Sequence, residues 1–172
     1  MSKHQVADLR NVALVGHGAV GKTTLADLML FKGGVGSRAG SVDDGSSVFD
    51  IDDEEKPSKH SVSSGMVHFE HAGKRINTFD TPGYPDFIGQ AIGALRGVET
   101  ALVVVSSTAG VQVNTRRMFN EAGKAGIGRG IVINKMDSDN IQFEQLISGI
   151  QELFGPQCVP LNLPVGLGAD FS

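Results

Sequence analysis

Gly16-His17-Gly18-Ala19-Val20-Gly21-Lys22-Thr23 matches the pattern G-x-x-x-x-G-K-[ST], and no other stretch limits the possible folds as strongly. The apolar run Val12-Ala13-Leu14-Val15 precedes it and reads as a buried strand. Thr24-Leu25-Ala26-Asp27-Leu28-Met29-Leu30 follows with apolar residues at helical spacing. A strand that enters a glycine-rich turn and leaves as a helix builds an anion site. Backbone N–H groups converge on one point, and the helix dipole adds partial positive charge there. The amides of His17, Gly18, Ala19, Val20, Gly21, Lys22, Thr23 and Thr24 are therefore the expected cradle for phosphate oxygens. Lys22 is expected to reach the β- and γ-phosphates as a point charge, and Thr23 to offer its hydroxyl to Mg²⁺.

Two shorter motifs follow in order. Asn77-Thr78-Phe79-Asp80-Thr81-Pro82-Gly83 carries D-x-x-G after an alternating apolar segment, and Asn134-Lys135-Met136-Asp137 carries N-K-x-D after Ile131-Val132-Ile133. Each stands at the C-terminal end of an expected strand, the edge at which open α/β sheets bind ligands. Asp80 is expected opposite Thr23, holding a Mg²⁺-bound water, and Gly83 is expected to present its backbone N–H to a γ-phosphate. Loss of that hydrogen bond when the γ-phosphate leaves makes the loop a switch.

N-K-x-D selects the base. The Asp137 carboxylate accepts only, and guanine offers N1–H and its 2-amino group as paired donors. Adenine would leave a desolvated carboxylate facing a lone pair, a mismatch worth roughly 10⁴-fold or more in selectivity. Asn134 can bond the other edge of guanine, and the Lys135 stem can lie over the ring. The same four residues can also form a solvated turn with Asp137 or Ser138 capping the next helix, a role compatible with binding. GTP and GDP, rather than ATP, are the expected ligands.

The chain has 172 residues, 40% hydrophobic and 20% charged, with a net charge of −4, which suits one soluble domain with a single three-layer core. Cys158 is the only cysteine, so no intrachain disulfide forms and a reducing compartment is expected. No run approaches membrane-spanning length, and the mild acidity argues against nucleic-acid binding through a general basic surface. The pattern predicts strand 11–16, helix 22–31, a mobile loop over 32–64, and a hairpin of 65–71 with 75–80. It continues with helix 85–96, strand 101–106, helix 112–125, strand 130–134, helix 139–153 and a strand-like 157–163. Alternation of this kind predicts an α/β fold, a mostly parallel sheet with helices on both faces. The loop over 32–64, rich in Gly and Ser and carrying Asp50, Asp52, Asp53, Glu54 and Glu55, stands where nucleotide switches keep their first mobile segment. His60, His68 and His71 lack metal-site spacing, Cys158 reads as an inert core thiol, and Arg116-Arg117 as a solvated helix face.

Taken together, these residues resemble the translational GTPases, P-loop NTPases of the elongation factor G branch. The words that carry the resemblance are Gly16-His17, Asp80-Thr81-Pro82-Gly83-Tyr84-Pro85-Asp86-Phe87, Ala109-Gly110-Val111-Gln112 with Arg116, and Asn134-Lys135-Met136-Asp137. It extends through Val159-Pro160-Leu161-Asn162-Leu163-Pro164-Val165-Gly166. The resemblance implies a ribosome-stimulated, cytoplasmic and monomeric GTPase that binds GTP/GDP and Mg²⁺ and assists translocation or ribosome disassembly. It implies no membrane contact and no sequence-specific nucleic-acid binding. It also implies that residues 1–172 form a GTP-binding domain that stops before the family's S-A-[KL] guanine-contacting loop and all later domains.

The chain departs from the family pattern in ways that matter. Tyr84 stands where the family usually carries a histidine that orients the attacking water; with Lys22 and Gly83 it makes the expected catalytic set. Ala19 replaces a common aspartate. The family's R-G-I-T word aligns with Ser58-Lys59-His60-Ser61, which keeps only a hydroxyl, so Ser61 is the candidate second Mg²⁺ hydroxyl beside Thr23 and Asp80. His17 reads as loop scaffold rather than catalytic base. Because of Tyr84, the alternative to a GTPase is a hydrolysis-impaired GTP-binding regulatory module.

Overall fold

The structure is a computed structural model and describes residues 4–36, 38, 40–42, 45–49 and 63–171. Its strands are β1 (Leu9–Gly16), β2 (Gly65–His71), β3 (Lys74–Asp80), β4 (Thr100–Ser106) and β5 (Gly128–Asn134). The helices are α1 (Lys22–Lys32), α2 (Ile88–Leu95), α3 (Val113–Lys124) and α4 (Phe143–Phe154). The strands form one sheet in the order β2-β3-β1-β4-β5. β1 is central, pairing in parallel with β3 (Leu14 opposite Asp80) and with β4 (Gly16 opposite Val104). β4 pairs in parallel with β5, and only the β2–β3 hairpin is antiparallel.

Alternation along β1 explains why helices cover both faces. Successive side chains of a strand point to opposite sides. Ala13 and Val15 enter a core shared with Ala91 and Leu95 of α2, Met118 and Phe119 of α3, and Ile150 and Phe154 of α4. Leu14, between them, enters a second core with Ala26 and Leu30 of α1, Phe49 and Phe69. The first core carries an aromatic stack: Phe119 and Phe154 have ring centroids 4.0 Å apart, and the Arg129 guanidinium lies 4.2 Å from the centroid of Phe119. Burial on both faces accounts for the unbroken apolar run Ala101–Val105 in β4.

Four details differ from the sequence pattern. Residues 157–163 form no strand: Pro156, Pro160 and Pro164 punctuate the segment and remove ladder donors, and Val159, Leu161 and Leu163 stay exposed. The segment 85–96 splits into a 3₁₀ turn, Pro85–Phe87, followed by α2, which starts later than Pro85. α4 starts at Phe143 with Gln142 at its N-cap, so neither Asp137 nor Ser138 caps it. Finally, part of the expected mobile loop is docked. Phe49 is 4% exposed in the α1-side core, and the Asp27 carboxylate accepts a 3.2 Å bond from the Val48 N–H. Ser61, His60 and the acidic stretch from Asp50 to Glu55 lie outside the described residues.

Cys158 is half-buried against the larger core, Arg116 and Arg117 are exposed on α3, and His68 and His71 are exposed on β2. Among the described residues no helix is long and apolar enough to cross a membrane, and no cluster of His, Cys, Asp and Glu could hold a metal.

The strand ends set the site. β1, β3, β4 and β5 stop at Gly16, Asp80, Ser106 and Asn134 on the same edge of the sheet. The exit of β1 depends on Gly16, whose φ is +147° and whose hypothetical Cβ would stand 2.6 Å from the Val104 carbonyl oxygen. Gly16→Ala is therefore expected to destabilise the domain by about 1–3 kcal/mol. Urea unfolding checks this; an unchanged midpoint would contradict it.

Candidate functional site

The turn after β1 is shaped by backbone conformations that only particular residues reach easily. Ala19 has φ 58° and Gly21 φ 89°, both left-handed, so the chain folds back before α1 begins at Lys22. No side chain caps α1, because its N-cap is Gly21, which leaves the first-turn amides available to an anion. A side chain at Gly21 would collide with the Asn134 amide. Val20 is buried and anchors the loop to the body of the domain.

Lys22 is 6% exposed, and its Nζ donates to the His17 carbonyl oxygen at 2.7 Å. Burial pushes its ammonium down to about 8, and the nearby Asp80 carboxylate offsets part of that effect. The unfolded chain therefore holds this proton more tightly than the folded one. Stability linked to Lys22 is lowest below about pH 8 and rises with pH towards the ordinary lysine value of 10.5. A phosphate dianion placed beside the ammonium would oppose the shift.

Thr23 Oγ1 donates to Asp80 Oδ2 at 2.6 Å. α1 supplies the hydroxyl and the end of β3 supplies the carboxylate, and the parallel pairing of β1 with β3 brings them together. Both groups offer oxygens, one neutral and one anionic, which suits a hard divalent cation such as Mg²⁺. Asp80 is 1% exposed.

The D-T-P-G segment is fixed from two sides. Thr81 Oγ1 donates to the Leu14 carbonyl oxygen at 2.7 Å, and Asn114 Nδ2, from the first turn of α3, donates to the Gly83 carbonyl oxygen at 2.8 Å. Gly83 is packed so closely that a Cβ there would collide with the His17 carbonyl oxygen and with Lys22 Nζ. The Tyr84 ring lies over Gly18 and is 38% exposed.

The N-K-M-D segment braces the phosphate loop from the opposite side. Asn134 Nδ2 donates to the Val20 carbonyl oxygen at 2.9 Å, and Lys135 Nζ to the Ala19 carbonyl oxygen at 2.8 Å. Lys135 itself has φ 61° and is held by Ser107: its carbonyl oxygen accepts a 2.5 Å bond from Ser107 Oγ, while the Ser107 N–H donates to the Asn134 carbonyl oxygen at 2.8 Å. Met136 is buried and its carbonyl oxygen accepts from the Gly168 N–H at 2.9 Å. Asp137 is exposed, as is Thr24 on α1.

The structure thus gathers His17, Gly18, Ala19, Val20, Gly21, Lys22, Thr23, Asp80, Gly83, Tyr84, Asn134 and Lys135 around one loop. Sequence reading passed over the supporting residues Asn114, Ser107 and Asp27. Nothing local marks them: each is an isolated polar residue whose partner lies 21 or more positions away in sequence.

Comparison with known proteins agrees with this geometry. Residues 7–165 match the family model described as the elongation factor Tu GTP binding domain. The chain is similar to an elongation factor G-like protein of Mycobacterium tuberculosis, 37% identical over 160 residues, covering 93% of this chain and 22% of that protein. It is also similar to peptide chain release factor 3 of Lactococcus lactis, 34% identical over 173 residues, covering 98% of this chain and 33% of that one. A crystal structure of a Thermus thermophilus protein superposes with a TM-score of 0.90 at 38% identity, covering 96% of this chain and 25% of that chain. The chain therefore spans about a fifth to a third of the length of these relatives. With its fold, phosphate loop and bracing motifs in agreement, the chain belongs to the translational GTPase family of the elongation factor Tu GTP binding domain.

Proposed function

We propose that this chain binds GTP and GDP with Mg²⁺ and hydrolyses GTP as the nucleotide-handling part of an elongation factor G-like translation factor. The observation that carries the reading is the triple bracing of one phosphate loop. Lys22 turns inward to His17, Asp80 sits on Thr23, and Asn134 and Lys135 clasp the backbone at Val20 and Ala19. That arrangement links the residue set for phosphate to the residue set for the base.

In this reading the loop amides and Lys22 hold the β- and γ-phosphates, and Asp137 accepts from guanine N1–H and the 2-amino group. Thr23, the candidate Ser61 and, through water, Asp80 would hold a Mg²⁺, which would supply neutralising charge to the phosphate oxygens. The Gly83 N–H approaches the γ-phosphate, and Tyr84 orients a water for in-line attack. The bond from the attacking oxygen to the γ-phosphorus forms as the bridging bond to GDP breaks. GDP departs with the electron pair, and the water's proton ends on solvent or phosphate. Positioning and charge stabilisation do all of this work, so the ribosome, engaged by a longer protein in the cytoplasm, is the expected source of acceleration. The names of the similar proteins, an elongation factor G-like protein and a release factor, support a ribosomal setting.

One observation favours a second reading, a GTP-binding regulatory module with little hydrolysis: the Tyr84 ring rests on the loop at Gly18 where the family's usual histidine would orient water. Single-turnover GTP hydrolysis with and without ribosomes separates the two.

Base selectivity is checked by calorimetry. GDP is expected to bind more tightly than ADP, and Asp137→Asn to shift preference towards xanthosine diphosphate, because an amide donor then meets the xanthine carbonyl. Equal affinity for GDP and ADP would contradict the assignment.

Lys22 gives an independent check. Its ammonium is largely neutral above about pH 8 in the loop alone and regains its proton beside phosphate. GDP binding is therefore expected to take up protons at pH 9, and more of them than at pH 7.5. Calorimetry in buffers of different ionisation enthalpy counts the protons. No uptake at either pH would remove Lys22 from the phosphates.

A further inference from the structure

The glycines of the phosphate loop do not all have the same reason to be glycine. Gly16 and Gly21 adopt φ of +147° and +89°, conformations that L side chains avoid. Gly18 is not among the residues with positive φ, so its backbone would accept any side chain. What occupies the space instead is Tyr84. An ideal Cβ on Gly18 would stand 2.9 Å from Tyr84 Cζ and 3.0 and 3.1 Å from its two Cε atoms. The phenolic end of the ring, not its base, is what touches the loop.

The backbone beneath that ring has little freedom. Gly83 is tied through its carbonyl oxygen to Asn114 at 2.8 Å, and it fits under His17 and Lys22 with no room for a side chain. On the other side, the Tyr84 carbonyl oxygen accepts from the Phe87 N–H at 3.2 Å to open the 3₁₀ turn. With the main chain held at both ends, the ring's position is set by its side-chain torsions and by what the loop leaves open.

We infer that Gly18 is a positioning residue for Tyr84: its missing side chain makes a seat in the phosphate loop, and the seat fixes the phenol beside the γ-phosphate position. The catalytic half of this inference rests on the GTPase reading above; the seat itself does not. A methyl group at Gly18 displaces the far end of a mobile side chain and strains no backbone. Gly18→Ala therefore acts on Tyr84 while the loop path is kept.

The composition supplies a probe. Tyr84 is the only tyrosine and there is no tryptophan, so the tyrosine emission of the chain is that of Tyr84. In the wild-type chain Tyr84 is 38% exposed, so unseating its ring is expected to raise acrylamide quenching in Gly18→Ala by about two- to threefold. An unchanged quenching constant would overturn the seat.

The catalytic consequence is read in single-turnover hydrolysis at saturating GTP, which removes affinity from the comparison. Gly18→Ala and Tyr84→Phe are each expected to slow turnover by about tenfold, and the double variant to be no slower than Tyr84→Phe alone. Additive losses would show that Gly18 acts other than through the phenol and would overturn the positioning role. Absence of turnover in the wild-type chain both with and without ribosomes would contradict the GTPase reading and the catalytic half with it, while quenching would still decide the seat.

Discussion

Parallel pairing of β1 with both β3 and β4 is the constraint on which the rest of this molecule depends. Because β1 is central, the loop that leaves it at Gly16 emerges between the ends of its two neighbours. Asp80 at the end of β3 then lies beside Thr23, and the end of β4 supplies Ser106 and Ser107. Ser107 in turn fixes the turn after β5. Were β1 moved to an edge, Thr23 would lose its carboxylate or the loop would lose Asn134. β1 and β4 are buried on both faces towards their C-terminal ends, so their register is firmly specified, and the loops that leave them inherit that precision.

The loop is held at its carbonyl groups, which leaves its amides for the ligand. His17, Ala19 and Val20 offer their carbonyl oxygens to Lys22, Lys135 and Asn134 respectively. Each bond pulls a carbonyl outward and so orients the neighbouring N–H groups of the same turn, since a peptide unit rotates as a plane. Two of the three donors are cationic, which makes these bonds stronger than neutral ones. Lys22 is held in the least comfortable state of the three: desolvation depresses its proton affinity, and only Asp80 counteracts it. In the proposed function a bound phosphate would supply further counter-charge, and part of the binding energy would come from relief of that burial.

Much of this was readable in the residues. Strand–turn–helix around Gly16, the hairpin over Gly65–Asp80 and the placing of Lys22, Thr23 and Asp80 at one loop follow from short patterns whose physics is local. The misreadings have different causes, tertiary in one place and local in another. Phe49 lies in a stretch dominated by Ser, Gly and Asp, and only the pocket formed by Ala26, Leu30 and Phe69 gives it a place in the core. Residues 157–163 alternate like a strand, yet the prolines deny them a ladder and their apolar side chains stay in solvent. Asn114, Ser107 and Asp27 carry no local mark at all. The role of Gly18 was hidden because a glycine in a glycine-rich loop reads as backbone freedom, whereas this one is space for a ring.

The central claim is that one phosphate loop, braced by the D-T-P-G and N-K-M-D segments, binds a guanine nucleotide as a unit. Hydrogen–deuterium exchange of the chain with and without GDP and Mg²⁺ tests it most directly. Slowed exchange is expected together at residues 17–24, at 81–84 and at 134–137, with little change in β2 or at 157–163. Slowing confined to residues 17–24, with the two bracing segments unaffected, would contradict it.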